Sequence, residues 1–103
     1  MQKIVKEFNE QKGYHTKPMP IHARILDIQS ELGELAKEYL KHSDYGSKEF
    51  EFEDEFKMEF GDVLYSLLSL SNELNIDGQE CLNKVLEKYQ ARIDKNKSMG
   101  SKH

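Results

Sequence analysis

Apolar residues recur at intervals of three and four along most of this chain, which is the spacing of amphipathic helices. Alternation of the kind found in strands is confined to residues 50–53, and that passage runs directly into helical spacing. The pattern therefore predicts four helices: residues 2–12, residues 20 to about 41, a third from between Lys48 and Asp54 to about residue 74, and a fourth ending at about residue 94.

Turn and capping residues separate these helices. Gly13 ends the first helix, and Pro20 suits the first position of the second because its fixed φ is helical and its missing N–H would have no partner there. The segment 42–47 has the composition of a turn. Asp77 predicts a cap for the fourth helix, and Glu80, three residues later, would complete a capping box.

The second and third helices each carry an acidic stripe beside an apolar one. The apolar seams are Ile25, Ile28, Leu32, Leu35 and Tyr39 in the second helix, and Phe56, Phe60, Val63, Leu67, Leu70 and Leu74 in the third. The acidic stripes are Asp27, Glu31, Glu34 and Glu38 in the second helix, and Glu55, Glu59 and Asp62 in the third. Each of these acids immediately precedes a seam residue, so in both helices the acidic stripe lies about 100° to the same side of the seam.

This shared offset predicts a site for a hard cation. A short connection between the second and third helices favours antiparallel packing of the two. A twofold axis perpendicular to both helices then relates them and places both acidic stripes on the same side of the helix pair. Glu31 and Glu34 would face Glu59 and Asp62 across one groove, and oxygen ligands of this kind suit Mg²⁺, with Mn²⁺ as an alternative. Without that convergence the two stripes would simply be solvated helix faces.

The fourth helix adds a basic stripe, because Lys84, Lys88 and Arg92 are spaced by four and share one side. Cations beside a carboxylate-bound metal are suited to binding polyphosphate. The alternative is that these side chains pair with nearby acids or extend along apolar surface into solvent. The single cysteine, Cys81, is interpreted as a core residue of this helix.

Composition narrows the class of protein further. A chain of 103 residues with 33% charged and 37% apolar residues is typical of one small domain, predicted over residues 1–95 with a flexible tail at 96–103. A net charge of -4 opposes binding to a nucleic acid polymer or an anionic membrane, and no apolar run is long enough to span a bilayer, so we expect a cytoplasmic protein. A core this small favours an all-α antiparallel bundle completed by homo-oligomerisation, as a homodimer or homotetramer.

The acidic motifs resemble those of a known family. Glu31-Leu-Gly-Glu34, followed by Glu59-Phe-Gly-Asp62-Val-Leu-Tyr, is similar to the E-x-x-E and E-x-x-D signature of the MazG-like all-α nucleoside triphosphate pyrophosphohydrolases. The passages Leu70–Asp77 and Lys88-Tyr-x-x-Arg92 extend the resemblance, which covers roughly residues 20–93.

The resemblance implies hydrolysis of a nucleoside triphosphate to the monophosphate and pyrophosphate. It further implies metal binding by Glu31, Glu34, Glu59 and Asp62, with Glu34 or Glu31 as the general base. It also implies that Lys84, Lys88 and Arg92 meet the phosphates, and it makes Tyr14 and His15 candidates for enclosing the base. The expected role is the clearing or balancing of a nucleotide pool. A dUTP- or phosphoribosyl-ATP-directed relative and a non-catalytic helical interaction module are the alternatives.

Overall fold

The chain is all α-helical in the residues that the computed structural model describes, which are 1–15, 20–43 and 54–100. The four helices are α1 (Gln2–Lys12), α2 (Ile21–His42), α3 (Asp54–Glu73) and α4 (Gly78–Gly100). The four predicted helices are confirmed in number and order. The predictions for residues 16–19, 44–53 and 101–103 lie outside the described ranges.

The helix ends follow local sequence. Gly13 ends α1 with a φ of 72°, in the left-handed region that glycine adopts without strain. Pro20 lies one residue before α2 and forms its N-cap, rather than its first helical residue. Asp77 Oδ1 accepts the N–H groups of Gln79 and Glu80 at 3.0 and 3.2 Å, which confirms the predicted cap of α4.

The predicted end of the fourth helix is wrong. α4 continues past Asp94 to Gly100, because the intervening residues include no proline or glycine to stop it. The division into a domain at 1–95 and a tail at 96–103 stays a prediction.

The helix α3 is the central element, with α2 and α1 packed against it. Arg24 near the start of α2 pairs with Glu73 at the end of α3, whereas Glu31 lies near Glu59. These two contacts show that α2 and α3 run antiparallel, as the sequence predicts. On the α1 side, the rings of Phe8 and Tyr65 meet edge-on with centroids 6.3 Å apart.

Gln2 ties the start of α1 to the connection between α3 and α4. Its side-chain amide donates to the carbonyl of Ile76 at 2.6 Å and accepts the N–H of Gly78 at 2.9 Å. Its backbone carbonyl accepts a hydrogen bond from the Asn72 amide at 3.1 Å. The start of α4 is therefore anchored to α1 at the C-terminal end of α3.

The single chain leaves much apolar surface uncovered. Among residues 1–15, 20–43 and 54–97, no apolar side chain is fully buried, and the buried residues are Asn9, Ser43 and Ser69. The radius of gyration is 18.4 Å, against about 13 Å for a compact domain of this length. Cys81 is exposed, so its interpretation as a core residue is wrong for the single chain, because α4 packs little against the other helices. None of the described helices is both long enough and apolar enough to span a membrane.

Candidate metal and nucleotide site

Three of the predicted acids converge between α2 and α3. Glu31, Glu59 and Asp62 each offer a carboxylate oxygen, and these oxygens all lie within 4.8 Å of one another. Glu59 and Asp62 are three residues apart on α3, and the antiparallel path of α2 brings Glu31 opposite them. The convergence that the offset of the two acidic stripes predicts is therefore present for these three residues.

Glu34 lies one turn further along α2 and is not part of this three-residue cluster. Its charge is nonetheless close enough to act on Glu59. Because its side chain is exposed on the same helix face, Glu34 borders the cluster rather than belonging to it in the described structure. Its predicted role as a metal ligand stays a prediction.

The crowding of acids changes the protonation of Glu59. Desolvation raises the pKa of the Glu59 carboxyl, and the neighbouring charges of Asp62, Glu31, Glu34 and Glu38 raise it further, in that order. None of the described ion pairs places a cation on Glu31, Glu59 or Asp62. A divalent cation would relieve the repulsion, and a donor set made only of oxygen atoms fits Mg²⁺ or Mn²⁺.

A polar pocket lies further along α3. It has a volume of about 280 Å³, and its lining residues are Lys6, Asn9, Glu10, Tyr14, His15, Ser69, Asn72 and Glu73. Ser69 is seven residues from Asp62, which is about 10 Å along the helix axis. The pocket and the acid cluster therefore lie about 10 Å apart along the axis of α3.

The two linker residues singled out in the sequence analysis lie at this pocket. Tyr14 packs against Phe8 with ring centroids 6.0 Å apart, and the His15 ring lies 6.0 Å from the ring of Tyr65. His15 Nδ1 is 3.3 Å from a Glu73 carboxylate oxygen but lacks hydrogen-bond geometry, so this buried nitrogen is left without a hydrogen bond in the described structure.

The structure does not bring the basic stripe of α4 to the acid cluster of the same chain. Lys84 pairs with Glu80 on its own helix at 3.4 Å, and the Lys88 ammonium lies 5.5 Å from the centre of the Tyr89 ring. Arg92 is exposed on the same helix. The predicted phosphate-binding role of the three cations therefore has no support from contacts within one copy of the chain.

Sequence analysis missed the polar cluster that joins α1 to α3. The Asn9 amide donates to Ser69 Oγ at 3.1 Å and accepts a hydrogen bond from the Tyr65 hydroxyl. The available signal was a polar residue four positions after Val5, on the apolar side of the first helix. The ion pair between Arg24 and Glu73 was missed as well, because it joins residues 49 positions apart.

The described helices form a bundle in which carboxylates from two antiparallel helices converge beside a polar pocket, an arrangement that could hold a metal ion through oxygen ligands. Comparison with known proteins agrees with this description: residues 21–96 match the MazG nucleotide pyrophosphohydrolase domain. The chain belongs to the MazG nucleotide pyrophosphohydrolase family.

Similarity in both sequence and structure to YpjD of Bacillus subtilis supports this assignment. The uncharacterized protein YpjD of Bacillus subtilis strain 168 is 33% identical over 91 residues, which cover 87% of this chain and 77% of YpjD. The crystal structure of YpjD from Bacillus subtilis, described as a proposed pyrophosphatase, superposes with a TM-score of 0.69 at 30% sequence identity. That match covers 85% of this chain and 89% of the solved one.

Proposed function

We propose that this protein hydrolyses a nucleoside triphosphate to the nucleoside monophosphate and pyrophosphate in a Mg²⁺-dependent reaction. The observation that carries the proposal is the convergence of the Glu31, Glu59 and Asp62 carboxylates in a chain of the MazG family. Solvation of two helix faces gives no reason for their acids to meet, whereas converging carboxylate oxygens are the ligands that a divalent cation prefers.

The residues present fit this chemistry. Glu31, Glu59 and Asp62 would hold the ion, with Glu34 at the edge of the cluster as the fourth ligand. When bound, Mg²⁺ supplies positive charge for the phosphate oxygens and lowers the pKa of a coordinated water. Glu34 or Glu31 accepts the proton of the attacking water, and the bond between the α- and β-phosphates breaks to release pyrophosphate.

The nucleoside occupies the pocket between α1 and α3. With the phosphates at the acid cluster, a bound nucleotide would extend along α3 toward Tyr14 and His15. The buried His15 Nδ1 provides an acceptor or donor at the end of that path. Such an enzyme would act on the cytoplasmic nucleotide pool, and its substrate class includes dUTP and phosphoribosyl-ATP as alternatives.

The active form is a homodimer or homotetramer. The argument is the uncovered apolar surface, since none of the apolar side chains in residues 1–15, 20–43 and 54–97 is fully buried. A second copy of the chain carries the same apolar surface and can therefore cover it.

The test is a panel of nucleoside triphosphates assayed for pyrophosphate release with and without Mg²⁺. We expect pyrophosphate and monophosphate as products, and we expect Glu59→Gln to lower turnover by at least about a hundredfold because it removes one anionic ligand. Glu87→Gln makes the same change on an exposed part of α4 and serves as the control. Orthophosphate as the first product, or full turnover by Glu59→Gln, would contradict the proposal, and inactivity on the whole panel would favour a non-catalytic interaction module.

A further inference from the structure

Arg24 and Glu73 form a partly buried ion pair that joins α2 to α3. Arg24 Nε lies 3.0 and 3.1 Å from the two carboxylate oxygens of Glu73, and the two side chains are 13% and 23% exposed. His15 Nδ1 lies 3.3 Å from one of the same oxygens. Because Glu73 and His15 also line the polar pocket between α1 and α3, the carboxylate of the ion pair forms part of the pocket wall.

Most of the hydrogen-bonding capacity of this pair is unused. A guanidinium carries several N–H donors, and a carboxylate accepts about four hydrogen bonds. Among the described residues, the bond from Arg24 Nε to Glu73 is the one hydrogen bond that either side chain forms. The buried His15 Nδ1 likewise has no hydrogen bond there. A ligand in the pocket can therefore donate to Glu73 and accept from Arg24 without breaking the ion pair.

The ion pair lies on the same side of both helices as the acid cluster. Arg24 is seven residues before Glu31 on α2, which is about two helical turns or 10 Å. Glu73 is 11 residues after Asp62 on α3, which is about three turns or 16 Å. Because both separations are close to whole numbers of turns, each helix places its acid and its member of the ion pair on one groove. Under the proposed function, a nucleotide with its phosphates at the acid cluster would extend its base toward the ion pair.

The charges around the pocket favour a neutral ligand at this end of the groove. Lys6 and Glu10 line the pocket together with Glu73, and Arg24 contacts Glu73, so two cations accompany two anions when histidine is counted as neutral. A second anionic group would meet the Glu73 carboxylate without a net positive charge to offset the repulsion. A nucleobase is polar but uncharged, so it avoids that repulsion.

The Glu73 carboxylate distinguishes between the bases, because it accepts hydrogen bonds and cannot donate them. Adenine, cytosine and guanine each carry an exocyclic amino group that donates, with a hydrogen-bond acceptor elsewhere on the base. Uracil and thymine have a carbonyl oxygen where cytosine has its amino group. That oxygen would face the carboxylate, and neither group would gain a hydrogen bond, which is costly at a partly buried site.

We propose that Glu73, held in place by Arg24, selects nucleotides whose base carries an exocyclic amino group and discriminates against uracil and thymine nucleotides. The inference deepens the proposed function and rests on it, since it names the class of base that the same site accepts. Glu73 accepts a hydrogen bond from the amino group, and Arg24 donates to an acceptor on the same base. The two residues determine specificity and take no part in the cleavage of the phosphates.

Cytosine and uracil nucleotides give the sharpest comparison, because the two bases have nearly the same shape and differ at this edge. Pyrophosphate release is measured for CTP and UTP and for dCTP and dUTP, so that either sugar can serve. We expect the wild-type kcat/KM for the cytosine nucleotide to exceed that for the uracil nucleotide by at least about tenfold. E73Q has nearly the same size but can donate as well as accept, so its ratio should fall to about threefold or less.

The matched control is E7Q, which makes the same change on an exposed part of α1 and should keep the wild-type ratio. R24K is a second variant that retains the charge beside Glu73, and with it the contact between α2 and α3, but loses the planar set of N–H donors. We expect the ratio of R24K to fall as well, mainly through a higher KM for the cytosine nucleotide. Circular dichroism checks that each variant is folded.

Several outcomes would overturn the inference. They are a wild-type protein that uses the uracil nucleotide as well as the cytosine one, and variants at Glu73 or Arg24 that lose activity on both nucleotides equally. The second result would mean that the ion pair only holds α2 against α3.

Failure of the wild-type protein to release pyrophosphate from any nucleotide would refute the proposed function instead. Thermal unfolding with cytidine or uridine as the probe then tests the pocket without catalysis. Cytidine should raise the Tm of the wild-type protein more than uridine does, and E73Q should remove the difference. Equal shifts for the two nucleosides would overturn the selection by Glu73.

Discussion

Asn9 is the polar side chain that joins α1 to α3, and its removal is expected to destabilise the chain. It is 7% exposed, donates to Ser69 Oγ at 3.1 Å and accepts a hydrogen bond from the Tyr65 hydroxyl. Ser69 is only 2% exposed, so water cannot readily replace the amide that Ser69 would lose.

The size of the effect follows from these two hydrogen bonds. A hydrogen bond between neutral groups contributes about 0.5–1.5 kcal/mol, and a buried group left without a partner costs about 1–3 kcal/mol. Asn9→Ala leaves the buried Ser69 hydroxyl and the partly buried Tyr65 hydroxyl without this partner. We therefore expect the free energy of unfolding to fall by about 2–3 kcal/mol.

Urea denaturation at one fixed protein concentration measures this loss, because the stability of an oligomer depends on concentration. The control is Asn83→Ala, which removes an exposed asparagine that accepts one hydrogen bond from Gln79, and we expect a change within about 0.5 kcal/mol. Tyr65→Phe provides a further test, since it removes a hydrogen bond that Asn9→Ala also removes. The double variant should lose about 1 kcal/mol less than the sum of the single ones. A loss for Asn9→Ala as small as that for the control, or strict additivity, would refute the reasoning.

Three further predictions concern the acid cluster and the start of α1. Mg²⁺ is expected to raise the free energy of unfolding with the logarithm of its concentration, by about 2.7 kcal/mol at a hundred times its dissociation constant. Calorimetric unfolding at increasing Mg²⁺ concentrations measures this rise. Glu59→Gln should abolish it, whereas the control Glu87→Gln should not. Without metal, the pKa of Glu59 is higher in the folded chain than in the unfolded chain, so the unfolded chain loses this proton at a lower pH. The free energy of unfolding should therefore fall as the pH rises from 4.5, the ordinary pKa of this side chain, through the raised pKa of the folded chain. Glu59→Gln should flatten this pH profile, and an unchanged slope would contradict the assignment. Gln2→Ala removes one hydrogen bond to the Ile76 carbonyl and one to the N–H of Gly78 at the start of α4, and it should lower the free energy of unfolding by about 1 kcal/mol in urea denaturation. Gln11→Ala on the exposed side of α1 should lower it by almost nothing.

Local signals predicted the fold because each helix boundary depends on residues close in sequence. Gly13 and Asp77 act through their own backbone conformation or through N–H groups two and three residues away, so their roles can be inferred without a tertiary structure. The end of α4 was placed too early because loss of the apolar pattern after Asp94 was interpreted as loss of the helix. Polar residues can extend a helix into solvent when no breaker intervenes.

The acid cluster was predictable for a different reason. The position of each acid relative to its apolar seam is fixed by helix geometry, and antiparallel packing then determines which acids meet. Contacts that depend on side-chain reach across helices were not predictable in this way. The Asn9 cluster and the pair formed by Arg24 and Glu73 each join residues at least 49 positions apart, and no short-range pattern identifies such partners.

Because each acid lies next to an apolar seam residue, the positions of the acids also depend on whether a second copy of the chain covers the seams. Glu31 and Glu59 each precede a seam residue, and those residues, Leu32 and Phe60, are 54% and 57% exposed in the single chain. Full burial of a side chain of this size contributes about 1.5–3 kcal/mol, so roughly half of that remains available to a partner at each position. A surface that covers Leu32 and Phe60 would also restrict the backbone that carries the two acids. If Glu31 and Glu59 bind a metal ion as proposed, metal affinity and oligomeric state should therefore be coupled, since a contact that buries the seam would also hold these two acids in place.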